Sequence, residues 1–345
     1  MLAGCSSGAS VEQVARRLRA PGAASGGNDR LLRELVRHAT LAPSSHNTQC
    51  WKFRLQDGLI TIVPDLSRRC PAVDPDDHHL FVSLGCATEN LALAALANGL
   101  QASASFDPAG DGAVAVRLEA TKAQASPLFQ AIAERQCTRG DYDGRPLSSE
   151  ELRLLERAGR GNGVRVLLLT EKAAMETVLG YVVAGNTAQL NDPAFIKELK
   201  AWIRFSNDEA IRTGDGLFAG TTGNPAVPRW LGSPMMGLLF TANSENERYV
   251  RQIRNSAGIA VFVAEVADKA HWVETGRCYE RFALQATVLG IRNALLNQPV
   301  EVAAVRPQFA AAIGLGGLRP GLVVRFGRGL GLPFSLRRPV QSVLV

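Results

Sequence analysis

Ala42-Pro43-Ser44-Ser45-His46-Asn47-Thr48-Gln49-Cys50-Trp51 is a polar loop caught between a helical pattern and a strand pattern. Pro43 sets its own φ and disfavours helix at Ala42, so the preceding helix stops there. Ser44, Ser45, Asn47 and Gln49 then offer several donors and acceptors within a few residues, and the ordered elements on both sides can fix their positions. Two readings follow from these residues: a helix stop followed by a Ser/Asn turn, or a loop shaped to hold a ligand.

Upstream, Leu31, Leu32, Leu35, Val36 and Ala39 recur at helical spacing behind an Asn28-Asp29 cap, with Arg30, Arg33, Glu34 and Arg37 on the other side. Residues 1–28 read as a loose tail around a short helical turn at 11–18, because Pro21-Gly22 and Gly26-Gly27 break anything longer. Downstream, strands at 51–55 and 59–63 flank Asp57-Gly58 as a tight hairpin. A helix over 76–98 is apolar on most sides and belongs in the centre of the fold or at an interface. Gly99 closes it, and 114–118 is a strand. A second half begins near Pro127. It carries helices at 128–135, 149–158, 171–189 and 194–205, strands at 164–169, 259–266 and 322–326, and a long buried helix over 271–297. Residues 208–236 form a glycine- and proline-rich insertion of the kind that serves as a lid or binding loop.

The two long apolar helices, centred on Leu91 and Leu289, each lead on to a strand without any strict repeat. This pattern predicts an α+β fold of two diverged copies of one unit, 29–125 and 126–345, each a mainly antiparallel sheet packed with helices. The long helices would meet at the internal interface, as in a homodimer fused into one chain with pseudo-twofold contacts.

Composition narrows the function. With 46% hydrophobic and 20% charged residues over 345 positions, the chain can bury a large core. Its net charge of +6 is scattered and aromatics are only 6%, which argues against nucleic-acid binding. The cysteines at 5, 50, 70, 86, 137 and 278 show no C-x-x-C spacing and no clustering with histidine, so free thiols and no metal are expected. Leu2-Ala3-Gly4-Cys5 looks like a lipoprotein processing site without its apolar leader. Attachment to a membrane, and a periplasmic location, would follow only if Cys5 is lipidated behind a lost signal; as given, the chain reads as cytoplasmic. His46 is a pocket group or merely exposed, and His78-His79 follow aspartates that cap a helix. Gly214-x-Gly216-x-x-x-Gly220 follows no strand and is no dinucleotide fingerprint, and no Gly-x-Ser-x-Gly elbow is present.

The string Pro43-Ser44-Ser45-x-Asn47-x-Gln49-x-Trp51 resembles the first flavin-contacting loop of the FMN-dependent nitroreductase superfamily, with Cys50 where that family usually has proline. Arg135-Gln136-Cys137-Thr138-Arg139, followed by Tyr142-Asp143, resembles its Arg-x-Ser-x-Arg/Lys phosphate motif, with Cys137 in place of serine. Two arginines four apart can grip a phosphate through charge-assisted hydrogen bonds. The first half has no such arginine motif, and the second half, at 158–162, has no Pro-Ser-Ser-x-Asn. Each half keeps what the other lacks, as expected of a fused dimer with one composite site.

The resemblance further implies that Ser335, Arg337 and Arg338 add a second cation to the flavin phosphate. It also puts Gln298 and Pro299, in a turn directly after the long second helix, near flavin N5. It implies FMN as cofactor, NAD(P)H as co-substrate, and ping-pong hydride transfer through flavin N5 to a nitroaromatic or quinone. No side chain is then needed as acid or base. A single-chain pseudo-dimer, or a weak homo-oligomer of it, is expected. An alternative is a flavin-storing or flavin-sequestering protein whose 208–236 insertion excludes nicotinamide; a third is a scaffold that has lost the cofactor.

Overall fold

The computed structural model describes residues 10–20 and 27–345. The processing site read at Cys5 and the helix breaks at 21–26 lie outside the described residues.

The first half is a four-stranded antiparallel sheet in the order β1-β2-β4-β3, formed by β1 (Trp51–Gln56), β2 (Leu59–Pro64), β3 (Leu100–Asp107) and β4 (Ala113–Ala120). The Asp57-Gly58 hairpin forms as expected, with Gly58 at φ 65° and Gln56 opposite Leu59. The second half uses β5 (Val164–Leu169), β8 (Gly258–Ala264), β9 (Arg292–Leu295) and β10 (Pro320–Gly327), in the order β5-β8-β10-β9. Between β5 and β8 come the two-residue strands β6 (Ile203–Arg204) and β7 (Leu217–Phe218), which pair with each other in parallel.

The two main sheets have the same topology. In each, a long helix enters after the second strand and leads to the edge strand: His78–Ala97 in the first half, Lys269–Val288 in the second. These core helices pack directly, and two glycines set how close they come. A Cβ on Gly85 would lie 1.9 Å from the Val273 carbonyl oxygen, and one on Gly276 would lie 1.9 Å from that of Val82. The contact is reciprocal, each glycine meeting the residue three positions before the other. Such exchange is what a twofold-related helix pair makes.

The helix His78–Ala97 is long and apolar enough to cross a membrane, but 78% of its apolar window is buried inside the protein. In the second sheet, β8 and β10 are buried on both faces. Ala260, Phe262, Val324 and Phe326 face the core helices, and Ile259, Val261, Val263 and Val323 face the helix Lys172–Leu190 and its neighbours. The alternation of sides explains the unbroken apolar runs of those strands.

Three expectations need correction. Residues 100–107 form a strand that the sequence hid, because Gln101, Ala102, Ser103, Ala104 and Ser105 have little strand preference; cross-strand pairing with β4 imposes it. The long second helix does not run to 297. It stops at Val288 because Gly290 adopts φ 68°, and Arg292–Leu295 then pairs with β10. Gln298 and Pro299 therefore follow a strand rather than a helix. Finally, 208–236 is not a structureless loop: it holds the helix Asn207–Thr213, strand β7 and most of the helix Arg229–Leu239. It is one part of a larger excursion, 170–257, that stands where the first half has only Asp57-Gly58.

The chain after β10 crosses back to the first half, where Leu344 bridges to Phe53 in parallel and the Val345 amide donates to the Phe53 carbonyl at 3.0 Å. That return carries 335–338 to the loop at 43–50.

Candidate functional site

The loop at 43–50 has an unusual backbone. His46, Asn47 and Gln49 take φ values of 48°, 53° and 53°, a left-handed conformation that non-glycine residues hold only when their surroundings insist. Here the surroundings are second-half segments. Asn47 Nδ2 donates to the carbonyls of Gly216 at 3.0 Å and Leu336 at 3.2 Å, and the Gly216 amide donates back to Asn47 O at 3.1 Å. Gln49 Nε2 donates to Gly214 O at 2.9 Å, and Gln49 Oε1 accepts from the Arg338 amide at 2.8 Å. Within the loop, Ser44 Oγ accepts from the Gln49 amide at 2.9 Å.

Arg337 completes this frame. Its buried guanidinium donates to the Thr40, Leu41 and Ala42 carbonyls at 2.7, 2.9 and 2.9 Å, and to Asn47 Oδ1 at 3.0 Å. It thus caps the orphan carbonyls ending the helix Asn28–Thr40. Arg338 Nη2 donates to the Gln49 and Trp51 carbonyls at 3.0 and 3.3 Å. Arg135 is equally committed: it donates to Leu41 O at 2.8 Å and pairs with Glu280 at 3.1 Å, both side chains almost fully buried. Gln136 fastens the backbone of Leu332, accepting from its amide at 3.0 Å and donating to its carbonyl at 3.0 Å. The Cys137 thiol lies 3.6 Å from the Tyr279 hydroxyl. Ser335 contributes its carbonyl, which accepts from Arg19 at 3.3 Å.

Arg139 differs from its neighbours. It is partly buried, and its guanidinium has no hydrogen-bond or ion-pair partner among the described residues. Its backbone is fixed: Gln252 donates to Arg139 O at 2.6 Å, and Arg325, stacked over Tyr142 at 4.1 Å, donates to Gly140 O at 2.7 Å. Burial, then the Arg139 charge, then His79 hold the His46 imidazole down at about 4. Arg139 and the loop of the other half therefore face one region.

The same region collects residues that sequence reasoning did not bring together. Asp74 accepts from the His79 and Leu80 amides at 3.0 and 2.9 Å and so caps the core helix, a task expected of Asp76 and Asp77, the aspartates directly before His78. The His79 ring lies 3.4 Å from Asp74 through Nδ1 and 3.2 Å from Asn297 Nδ2 through Nε2. Asn297 Oδ1 accepts from the Val323 amide at 3.0 Å, which fixes the amide and makes Nε2 of His79 the acceptor. Gln298 Nε2 donates to the Tyr249 hydroxyl at 2.5 Å, while its buried Oε1 has no hydrogen-bond partner among the described residues. Pro299 is buried beside it. Pro43 and Ser45 are half-buried at the rim.

The 214–216 turn of the excursion is latched to this loop by charge as well as by Asn47 and Gln49. Asp215 takes Arg204 at 2.7 Å and also pairs with Arg68. Burial would raise the Asp215 carboxyl, but Arg204 and Arg68 outweigh it and hold it below its ordinary 3.8. Its contribution is therefore complete above that value and lost as pH falls below it. Asp215→Asn is expected to cost about 2 kcal/mol by leaving two guanidiniums short of a charged partner. The gap between wild-type and variant urea midpoints should be level from about pH 6 to about pH 5 and shrink as pH falls below 3.8.

Comparison with known proteins bears on this geometry. Over 329 residues, 91% of this chain and 90% of the relative, the sequence is 24% identical to a Mycobacterium tuberculosis protein named "Putative NAD(P)H nitroreductase", matched alike from strains CDC 1551 and H37Rv. Over nine-tenths of its length the chain is thus similar to a protein named as a nitroreductase. No family model matches it. Among solved structures, a nitroreductase with bound FMN from Desulfitobacterium hafniense is 18% identical, with a TM-score of 0.40, over 61% of this chain and 94% of that one. The FMN-dependent nitroreductase NfnB of Mycobacterium smegmatis, solved with NADPH, is 14% identical, with a TM-score of 0.39, over 59% and 87%. Likeness at that level adds nothing to the architecture described above.

Proposed function

We propose that this chain is a member of the nitroreductase superfamily, binds FMN between its halves and acts as an NAD(P)H oxidoreductase on nitroaromatic or quinone-type acceptors. The observation that carries the proposal is the unpaired, partly buried Arg139 facing the strained loop of the opposite half. A cation without a partner in such a place is costly unless an anion joins it. The buried, unpartnered Gln298 Oε1 fits the same ligand, since the ring edge of a flavin offers an N–H.

Arg139 would hold the phosphate, with Ser45 and Pro43 against the nucleotide and Gln298 and Pro299 at the ring edge. Asn47, Gln49, Arg135, Gln136, Cys137, Ser335, Arg337 and Arg338 serve by fixing the shape of the seat, because each already spends polar atoms on contacts within the protein. When bound, the flavin supplies the two-electron chemistry, accepting hydride from NAD(P)H and passing electrons to the acceptor. The names of the mycobacterial relatives support that reaction class. The chain itself binds, orients and excludes water, and the division at 29–125 and 126–345 puts the site between two topologically equivalent units.

The purified full chain is expected to be yellow. Arg139→Ala should weaken FMN binding about a hundredfold, the loss of one strong charge-assisted contact, while leaving the far-UV spectrum unchanged. A colourless wild-type protein that takes up no added FMN overturns the reading. A second reading, flavin storage, is favoured by the latched 214–216 turn, which ties the excursion onto the loop. Anaerobic mixing with NADPH separates the two. Bleaching of the flavin absorbance in the wild type supports the reductase; bleaching only after Asp215→Asn supports a store.

A further inference from the structure

We propose that His46, Cys70 and Glu198 form a three-ligand site for a divalent transition-metal ion of the zinc type. The three residues lie on separate segments: the strained loop, the turn after β2, and the helix Pro193–Trp202 of the excursion. Their ligand atoms nevertheless all fall within 4.8 Å of one another. His46 Nδ1 lies 3.6 Å from Cys70 Sγ. A tetrahedral ion with a metal–sulfur bond of about 2.3 Å and a metal–nitrogen bond of about 2.0 Å separates those two donors by about 3.5 Å.

The carboxylate is held for the purpose. Glu198 Oε2 accepts from the Ala72 amide at 2.9 Å and Oε1 from the Val73 amide at 3.2 Å, which ties it to the turn that carries Cys70 and leaves each oxygen a free lone pair. A carboxylate fixed beside a buried thiol has no partner of opposite sign there. Burial first, then Glu198, with Asp74 and Glu301 adding to it, drive the thiol toward its neutral form. A divalent ion reverses that balance. Cys70 gives up its proton to solvent and ligates as thiolate; with Glu198 it neutralises the ion, and His46 ligates uncharged.

An N, S, O donor set selects zinc, cobalt or a similar ion over magnesium or calcium. Phe195, Leu199 and Met236 pack around Cys70 and dry one side, and three protein ligands leave a fourth position open. The neighbouring trio Asp74, His78 and His79 is as compact. Its Asp74 and His79, however, already bond to backbone amides, to each other and to Asn297.

The test uses the full chain, reduced and stripped with chelator, titrated with Co²⁺ alone and then with Zn²⁺. Saturation at one equivalent is expected, with a thiolate-to-cobalt charge-transfer band that Zn²⁺ abolishes. Cys70→Ser should remove the band and Cys137→Ser should keep it. His46→Ala and Glu198→Gln should each weaken Co²⁺ binding about ten- to a hundredfold. No charge-transfer band in a chain folded by circular dichroism overturns the proposal, as does a band that survives Cys70→Ser. Flavin is not needed, so a protein that fails to bind FMN still decides the question.

Discussion

Gly85→Ala and Gly276→Ala are each expected to destabilise the protein by about 3 kcal/mol or more, enough to lower soluble yield severely. At either position the new methyl would sit 1.9 Å from a carbonyl oxygen of the opposing core helix. Backbone cannot move aside as a side chain can, so the helices must separate along a packed interface. Ordinarily a Gly→Ala change inside a helix gains about 0.5–1 kcal/mol. Gly180, in the exposed face of the helix Lys172–Leu190 with nothing near its missing Cβ, is the matching control and should show that gain. Urea denaturation of the three variants checks the result. Equal behaviour of Gly85→Ala and Gly180→Ala would mean that the two halves are not held by this crossing.

Arg135→Ala is expected to cost about 3–5 kcal/mol, because it strands Glu280 as a buried carboxylate. The pH dependence gives the sign of the effect. Burial, partly offset by Arg135, pushes the Glu280 carboxyl from 4.5 up to about 7. A raised folded-state value means that the native protein keeps a proton the unfolded chain has released. Stability therefore falls as pH rises from about 4.5 to about 7 and is level above. Without Arg135 that decline should continue to higher pH at the same one-proton slope, so the variant is least impaired in mild acid. Glu280→Gln should abolish the slope. Melting temperatures of wild type, Arg135→Ala and Glu280→Gln across this range are the measurement. Arg139→Ala, four residues on, should leave them unmoved, which separates the residue that holds the frame from the one proposed to meet the ligand.

Much of the architecture was legible because it is local. Asp57-Gly58 between alternating strands can hardly be anything but a hairpin, and a stretch as apolar as 80–97 has to be buried. What escaped were elements made by their neighbours. Residues 100–107 become a strand because β4 offers an edge, and Gly290 ends a helix that periodicity alone would continue. At the candidate site, the loop and Arg139 stood out in the sequence through their motifs. Asp74, His79 and Tyr249 carried no motif, since their meeting with Asn297 and Gln298 depends on folding rather than on spacing.

By itself the chain determined two incomplete halves, their alternating strands, two apolar helices and a polar loop after Pro43, because periodicity, turn chemistry and helix stops act over a few residues. Only the tertiary structure decided which cations are spent and which are free. Arg135 and Arg139 stand in the same short motif, yet Glu280 waits opposite one and no described residue pairs with the other. Whether a charge is neutralised depends on what is packed against it through space, and sequence distance carries no trace of that.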